Sequence, residues 1–379
     1  MPFFPGLPAE IVDEILDQIC PECNKGEFHE HSFCEHPAET FASLCLTSKL
    51  LNEFATKRLY RRPNARKWWL LGRTLITRPD LAELVKDLYL DTDDIAGPGP
   101  GDIGQELHAW CLERRNPAIH LPVAASDKKD DEPNFDDPWS IPHDNAETIY
   151  GMSSNAAIDI IAGLCPNPVT LHSTPWYSDA FTFCKPQSLL SLKHIKILRA
   201  DTEGDMDIAE LRRLFRAAPN LETMHFVDAG SNSWDSTPAR HSSVGDIKLE
   251  KATEVLFEYS GVGPLGFRTL LGFLPNVEKI RYGYCGNHYE QFTPHELLEI
   301  IGDGSLMKNV KEFSFVYDGD GWHDAGWNDL TLEMVEQAFT ARGIKFLPPP
   351  EPQPVPTLGI PEPPSQTHIL MGLPAYFDV

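Results

Sequence analysis

Six side chains able to bind a transition metal stand within 17 residues: Cys20, Cys23, His29, His31, Cys34 and His36. Cys and His together number 22 of 379 residues, so a stretch of that length would hold about one by chance. Cys20-x2-Cys23 has the bite of a zinc knuckle, and Cys34-x-His36 closes a tetrahedral set, with His29 or His31 as substitutes. Such a zinc is structural: ligation supplies folding free energy to a short loop with no core of its own. The alternative is a solvated polar loop with incidental thiols, in which Cys20 is a small apolar residue at a helix end. No cofactor is expected beyond this zinc on Cys20, Cys23, Cys34 and His36.

Three other sequence patterns associated with chemistry are incomplete or missing. "GPGDIG" (99–104) fits G-x-G-x-x-G, yet Pro100 removes an amide and the "DTDD" before it repels phosphate. "DGDGWHDAGWND" (318–329) places Asp318 and Asp320 as in a calcium loop, but His323 stands where the turning glycine belongs. There is no G-x-S-x-G, H-E-x-x-H or P-loop. No catalytic residue is expected, and the chain is not read as an enzyme.

The Cys/His stretch interrupts a helical unit. Leu7, Ile11 and Ile15 fall at i, i+4, i+8 with Val12 and Leu16 beside them, Pro8 in the first turn, and Glu10, Asp13, Glu14 and Asp17 facing water. Phe41, Leu44 and Cys45, then Leu50, Leu51, Phe54 and Leu59, predict two further short helices, with Thr47 or Ser48 as N-cap between them and Pro63 as the stop. Without the insertion this unit has about 40 residues, too few for a strong core, so it must lean on the rest of the chain or on a partner.

Leu7-Pro8-x-Glu10-Ile11, Ile15-Leu16, Leu44-x-Leu46-x-Ser48-Lys49 and Leu59-Tyr60, in that order, resemble the F-box in its fungal form. The resemblance covers residues 5–63, roughly a sixth of the chain, and the insertion departs from the usual spacing. It implies a three-helix module that docks on a Skp-type adaptor and joins a cullin-based ubiquitin ligase. The adaptor-binding residues it implies are Leu7, Pro8, Ile11, Ile15, Leu16, Leu44, Leu46, Ser48, Leu59 and Tyr60.

Downstream, an apolar-x-x-apolar-x-apolar triplet recurs six times: Val85-Leu88-Leu90, Leu192-Ile195-Ile197, Leu221-Met224-Phe226, Ala252-Val255-Phe257, Val277-Ile280-Tyr282 and Val310-Phe313-Phe315. "CPNPV" at Cys165 leads into a degenerate further strand through Leu171. "APNLE", "LPNVE" and "MKNVK" punctuate the later copies, which lie 25 to 33 residues apart, with helical patterns at 208–217, 266–273 and 294–301 upstream. Helix, stop, strand and loop in fixed order predict an α/β solenoid with leucine-rich-repeat logic, each unit burying its strand only by stacking on the next. The pattern lacks the Asn ladder of the standard motif. An ordinary α/β domain with parallel strands is the alternative.

The chain therefore divides into an F-box domain at 1–66 with the Cys/His insertion at 20–39, a repeat-like α/β domain at 67–347, and a Pro-rich extended tail at 348–379. Within the second lies an acidic insertion at about 92–145, carrying one short helix at 103–114. Acidic and aromatic residues follow the strand patterns. If the units stack, Asp201, Trp234, Tyr284, Asp318, Trp322 and Trp327 share one rim that would grip a target with a basic or mixed-charge face. The basic cluster from Lys57 to Lys67 is the solvated face of the last F-box helix or a nuclear signal.

A net charge of −24 argues against nucleic acid and anionic membranes as partners. No apolar run is long enough to span a bilayer, and no signal peptide is read at the start of the sequence. Eight cysteines over this length read as reduced thiols of the cytosol or nucleus. The expected function is substrate recognition in an SCF-type (Skp–cullin–F-box) ligase, with adaptor and cullin complex on one side and an unidentified target on the other. The alternative is an interaction scaffold whose F-box-like helices only cap the solenoid.

Overall fold

A computed structural model describes residues 7–19, 38–63, 68–90, 154–174, 181, 184–198, 211–229, 247–284, 293–317 and 327–348. Residues 20–37 of the Cys/His insertion, the acidic insertion with its expected helix, and residues 349–379 of the Pro-rich tail lie outside the described residues; Ala38 and Glu39 already belong to a helix.

Three helices open the chain: α1 (Ala9–Ile19), α2 (Ala38–Cys45) and α3 (Lys49–Arg61). Ser48 caps α3, its hydroxyl accepting from the Leu51 amide at 3.2 Å. Val12 and Leu16 of α1 pack with Phe41, Leu51 and Ala55 in a core of their own. Arg58 of α3 clamps α1 from the side, donating to Asp13 Oδ1 at 2.8 Å and to the Asp17 carboxylate. Two short helices follow, α4 (Trp68–Thr77) and α5 (Pro79–Ala82), before the first strand.

The rest is α/β. Eight strands, β1 (Asp87–Leu90), β2 (Thr170–Ser173), β3 (His194–Leu198), β4 (Thr223–Val227), β5 (Glu254–Ser260), β6 (Lys279–Tyr284), β7 (Glu312–Tyr317) and β8 (Lys345–Leu347), form one sheet. All pairs are parallel, and the spatial order is the chain order. Between them run α6 (Ser154–Leu164), α7 (Arg212–Ala217), α8 (Pro264–Phe273), α9 (Pro294–Gly302) and α10 (Asp329–Ala341). Parallel crossovers are right-handed, so an order that never reverses places successive crossovers on the same face. A doubly wound sheet, by contrast, reverses its order and covers both faces.

Side-chain burial agrees. Every residue of the six apolar triplets is buried, and Leu171 adds its own layer. In register, Leu88, Leu171, Ile195, Met224, Val255, Ile280, Phe313 and Phe346 form one inward row across the sheet. The row grows aromatic toward β8, where Phe313, Phe339 and Phe346 stack with centroids 4.8 and 5.2 Å apart. Tyr282, fully buried, satisfies its hydroxyl by donating to the Val262 carbonyl at 3.0 Å.

The stop signals have a bonding role. Asn167, Asn220, Asn276 and Asn309 each stand four residues before the first inward residue of their strand. Each donates its side-chain amide backward, to the carbonyl of Glu83, Leu190, Glu250 and Pro275 respectively, at 3.3, 2.8, 2.8 and 2.8 Å. Each acceptor lies one residue before the matching position in the preceding unit. An asparagine series is thus present ahead of the strands, where the sequence pattern alone led to none. The next backbone step also recurs: the carbonyls of Lys86, Val169, Lys193, Glu222, Thr253 and Glu278 each accept two successive amides from the following unit.

The helical unit meets the sheet at β1. The Lys86 amide donates to the Arg61 carbonyl at 2.9 Å, and Tyr60 packs against the sheet's core.

Candidate functional site

Among the described residues two surfaces stand out: one is exposed, and the other is partly exposed, with His225 and Ser314 buried within it. The first is on α1. Successive residues of a helix turn by about 100°, so Ile11 and Ile15 lie roughly a third of a turn from Val12 and Leu16; Leu7 stands two residues ahead of the helix. The inward pair is 1% and 2% exposed, whereas Leu7, Ile11 and Ile15 are 40%, 41% and 39% exposed. With Val12 and Leu16 holding one side of the helix and Arg58 another, α1 is fixed with an apolar stripe toward solvent. Leu46, in the turn between α2 and α3, is 89% exposed. That turn is closed by Thr47 Oγ1 donating to the Leu44 carbonyl at 2.7 Å and by Asn52 Nδ2 donating to the Cys45 carbonyl at 2.9 Å.

The residues of the expected adaptor set therefore separate. Leu7, Pro8, Ile11, Ile15 and Leu46 are presented outward. Leu16 is buried in the unit's own core, and Leu44 and Leu59 pack against that core half-buried. Ser48 is engaged as the cap of α3, and Tyr60 is turned to the sheet. Leu16, Leu44 and Leu59 thus build the unit's core, Ser48 caps its last helix, and Tyr60 joins the unit to the α/β core.

The second surface is the open face of the sheet. Asp87, Thr170, His194, Thr223, Glu254, Lys279, Glu312 and Lys345 form one outward row; Tyr89, His172, Lys196, His225, Leu256, Arg281, Ser314 and Leu347 form the next. Neighbouring strands exchange polar contacts along these rows. Thr170 donates to Asp87 at 2.7 Å, His194 Nδ1 is 2.8 Å from Thr223 Oγ1, and His225 Nε2 is 2.7 Å from Glu258 Oε2. Tyr89 and His172 meet edge to face at 4.3 Å. Burial lowers the His194 pKa below the usual imidazole range, only partly offset by nearby Glu222. Hydrogen bonds from Lys193 and Lys345 hold the Glu222 and Glu312 carboxyls below theirs.

Trp327 does not reach any rim. It is 3% exposed and packs edge to face on Phe315 at 5.1 Å, filling the space over the end of β7. Tyr284 is the last residue of β6. Asp201, Trp234, Asp318 and Trp322, and the ligand candidates Cys20, Cys23, Cys34 and His36, lie outside the described residues. Sequence reasoning named none of the open-face rows, although the residues alternating with the apolar triplets carry them.

Among the described residues there is no group of three or more His, Cys, Asp or Glu placed to hold a metal. The Cys165 and Cys184 thiols are fully buried; burial pushes Cys165 up to about 12 and Cys184 well above its usual value, so neither is a thiolate nucleophile. Among the described residues no helix is long and apolar enough to cross a membrane. No protein-family model, no curated protein and no solved structure matches the chain.

Proposed function

We propose that the chain is the substrate-recognition subunit of an SCF-type E3 ubiquitin ligase. The single observation that carries this reading is the apolar stripe of Leu7, Ile11 and Ile15, joined by Leu46, on a helical unit whose own core is already filled by Val12, Leu16, Phe41, Leu51 and Ala55. Exposed large apolar side chains in a fixed row call for a partner surface. The resemblance of these residues to an F-box makes that partner a Skp-type adaptor.

The α/β domain is then a degenerate leucine-rich-repeat-like solenoid that holds the target. Support comes from eight parallel strands in chain order and from the recurrent asparagine bonds at the unit boundaries. Function follows from proximity: the chain places a target near the transfer machinery, and other subunits perform the acyl transfer.

The test is co-expression with a Skp-type adaptor. Wild type should co-purify with it, and Ile11→Asp should not, while remaining folded because Ile11 faces solvent. Recovery of the adaptor by both, or by neither, would count against the reading.

A second reading has its own observation. Tyr60 packs, half-buried, against the main core and the Arg61 carbonyl accepts the Lys86 amide just ahead of β1, so the helical unit also abuts the first end of the sheet. A scaffold with a helical cap would need no more than this. It leaves the α1 stripe without a purpose.

A further inference from the structure

Tyr259 stands where the alternation of β5 fails. Val255 and Phe257 point inward, and Glu254, Leu256 and Glu258 outward. A regular strand would turn Tyr259 inward. Instead the register passes from Phe257 opposite Tyr282 to Ser260 opposite Tyr284, so Glu258 and Tyr259 together face the single residue Gly283. This is a β-bulge, and its effect is to re-aim one side chain. Ser260 takes the inward place, fully buried, and Tyr259 is 43% exposed beside Glu258.

The bulge is held from several sides. Tyr259 has φ +49°, in the left-handed region that an aromatic residue enters only at a cost. Asp228 on the next strand has φ +55°, and its amide donates to the Glu258 carbonyl at 2.9 Å. The Ala229 amide donates to Ser260 Oγ at 3.1 Å, and Ser260 Oγ donates to the Glu258 carbonyl at 2.8 Å. Only glycine fits opposite: a Cβ on Gly283 would lie 2.7 Å from the Phe257 carbonyl oxygen and 3.2 Å from Glu258 Cα. Left-handed non-glycine residues on adjacent strands gather where structure is kept for use rather than for stability.

The surroundings define the occupant. Leu198 and Val227 lie in register with each other, and Val227 with Glu258; with Leu256 they make a half-exposed apolar floor on the open face. Glu258 brings a carboxylate to its edge, 2.7 Å from His225 Nε2, with Asp228 just past the end of β4 beside it; the nearby cations are Lys196 beside His225 and Arg281 opposite Leu256, the latter 3.4 Å from the Glu254 carboxylate. The chain as a whole carries −24, which repels acidic partners and draws basic ones. An exposed aromatic ring beside a carboxylate, on the same face as half-exposed apolar side chains, fits an aliphatic side chain next to an arginine, whose guanidinium both pairs with carboxylate and stacks on a ring.

We propose that the β5 bulge is the target-binding anchor, with Tyr259 clamping an apolar, arginine-bearing segment of the target protein. This rests on reading the α/β domain as the part that holds the target, but not on the adaptor contact.

A random twelve-residue peptide library displayed on phage, selected on the full-length protein, tests it. Enriched peptides should carry Arg or Lys beside an aliphatic or aromatic residue. Their affinity, measured by fluorescence anisotropy, should fall at least tenfold for Tyr259→Ala. Tyr259→Gly removes the ring and relieves the left-handed strain, so it should lose the same binding while its unfolding midpoint stays equal or rises. Acidic enriched peptides, no enrichment over Tyr259→Gly, or unchanged affinity in both variants would overturn the proposal. Adaptor co-purification run on the same preparations separates the two readings. Tyr259-dependent peptides without adaptor binding leave the anchor standing and remove the ligase; the reverse removes the anchor alone.

Discussion

Replacing Asn276 by alanine removes two hydrogen bonds at one unit boundary. Its Nδ2 donates to the Glu250 carbonyl at 2.8 Å, and its Oδ1 accepts from Asn309 Nδ2 at 3.3 Å. Both bonds are solvent-exposed, so water returns to the freed groups, and each contributes about 0.5–1 kcal/mol net. Asn276→Ala should therefore cost about 1–2 kcal/mol, and Asn309→Ala a similar amount, since it loses the bond to Pro275 as well as the shared one. Asn220→Ala loses only the 2.8 Å bond to Leu190 and should cost about 0.5–1 kcal/mol.

Two controls isolate the donor chemistry. Asn276→Asp keeps the shape but places a carboxylate oxygen against the Glu250 carbonyl, so it should cost more than alanine. The Asn276/Asn309 double alanine variant counts the shared bond once, so it should fall short of the sum of singles by about 0.5 kcal/mol. Asn220/Asn309, three strands or about 14 Å apart, should be additive. Urea denaturation read by circular dichroism gives these values as midpoint shifts at constant slope. Neutral alanine variants at all three sites, or an aspartate variant as stable as wild type, would refute the idea that the asparagines tie neighbouring units together.

Tyr282→Phe leaves the ring in place and strands the buried Val262 carbonyl, which should cost about 1–3 kcal/mol in the same assay. His194 is held below the usual imidazole range by burial, so the folded state prefers the neutral ring. Its contribution is present above the unfolded value of about 6.5 and is lost as pH falls below it toward the folded value. The unfolding midpoint should thus drop between pH 7.5 and 5.5, and His194→Gln should shrink that drop. An unchanged drop would remove His194 from the account.

The sheet was legible because its inward residues repeat at fixed offsets; every one of the six triplets lies in the core. The strand β8 escaped because Gly343 stands where the triplet would open with an apolar residue, although Ile344 and Phe346 still pack inward. The helix α10 escaped because its capping box uses Asn328 and Thr331 rather than a Ser or Thr followed by Glu. Asparagine spacing was visible, but its acceptors are carbonyls 26 to 84 residues earlier, which no local pattern contains. On α1 all five apolar residues look alike in sequence. Only the positions of Phe41, Leu51 and Arg58 decide that Leu16 faces inward and Ile11 outward. Trp327 was misplaced for the same reason: glycine and aspartate around it suggest a loop, and its contact with Phe315 is a tertiary fact. The β5 bulge needs the register of both neighbours and has no local mark.

Hydroxyl-radical footprinting of the purified chain, with and without a saturating Skp-type adaptor, bears most directly on the central claim. Leu7, Ile11, Ile15 and Leu46 should be oxidised in the free chain and protected in the complex, while Leu16 stays unlabelled in both. Equal oxidation of the four side chains with and without adaptor would contradict it.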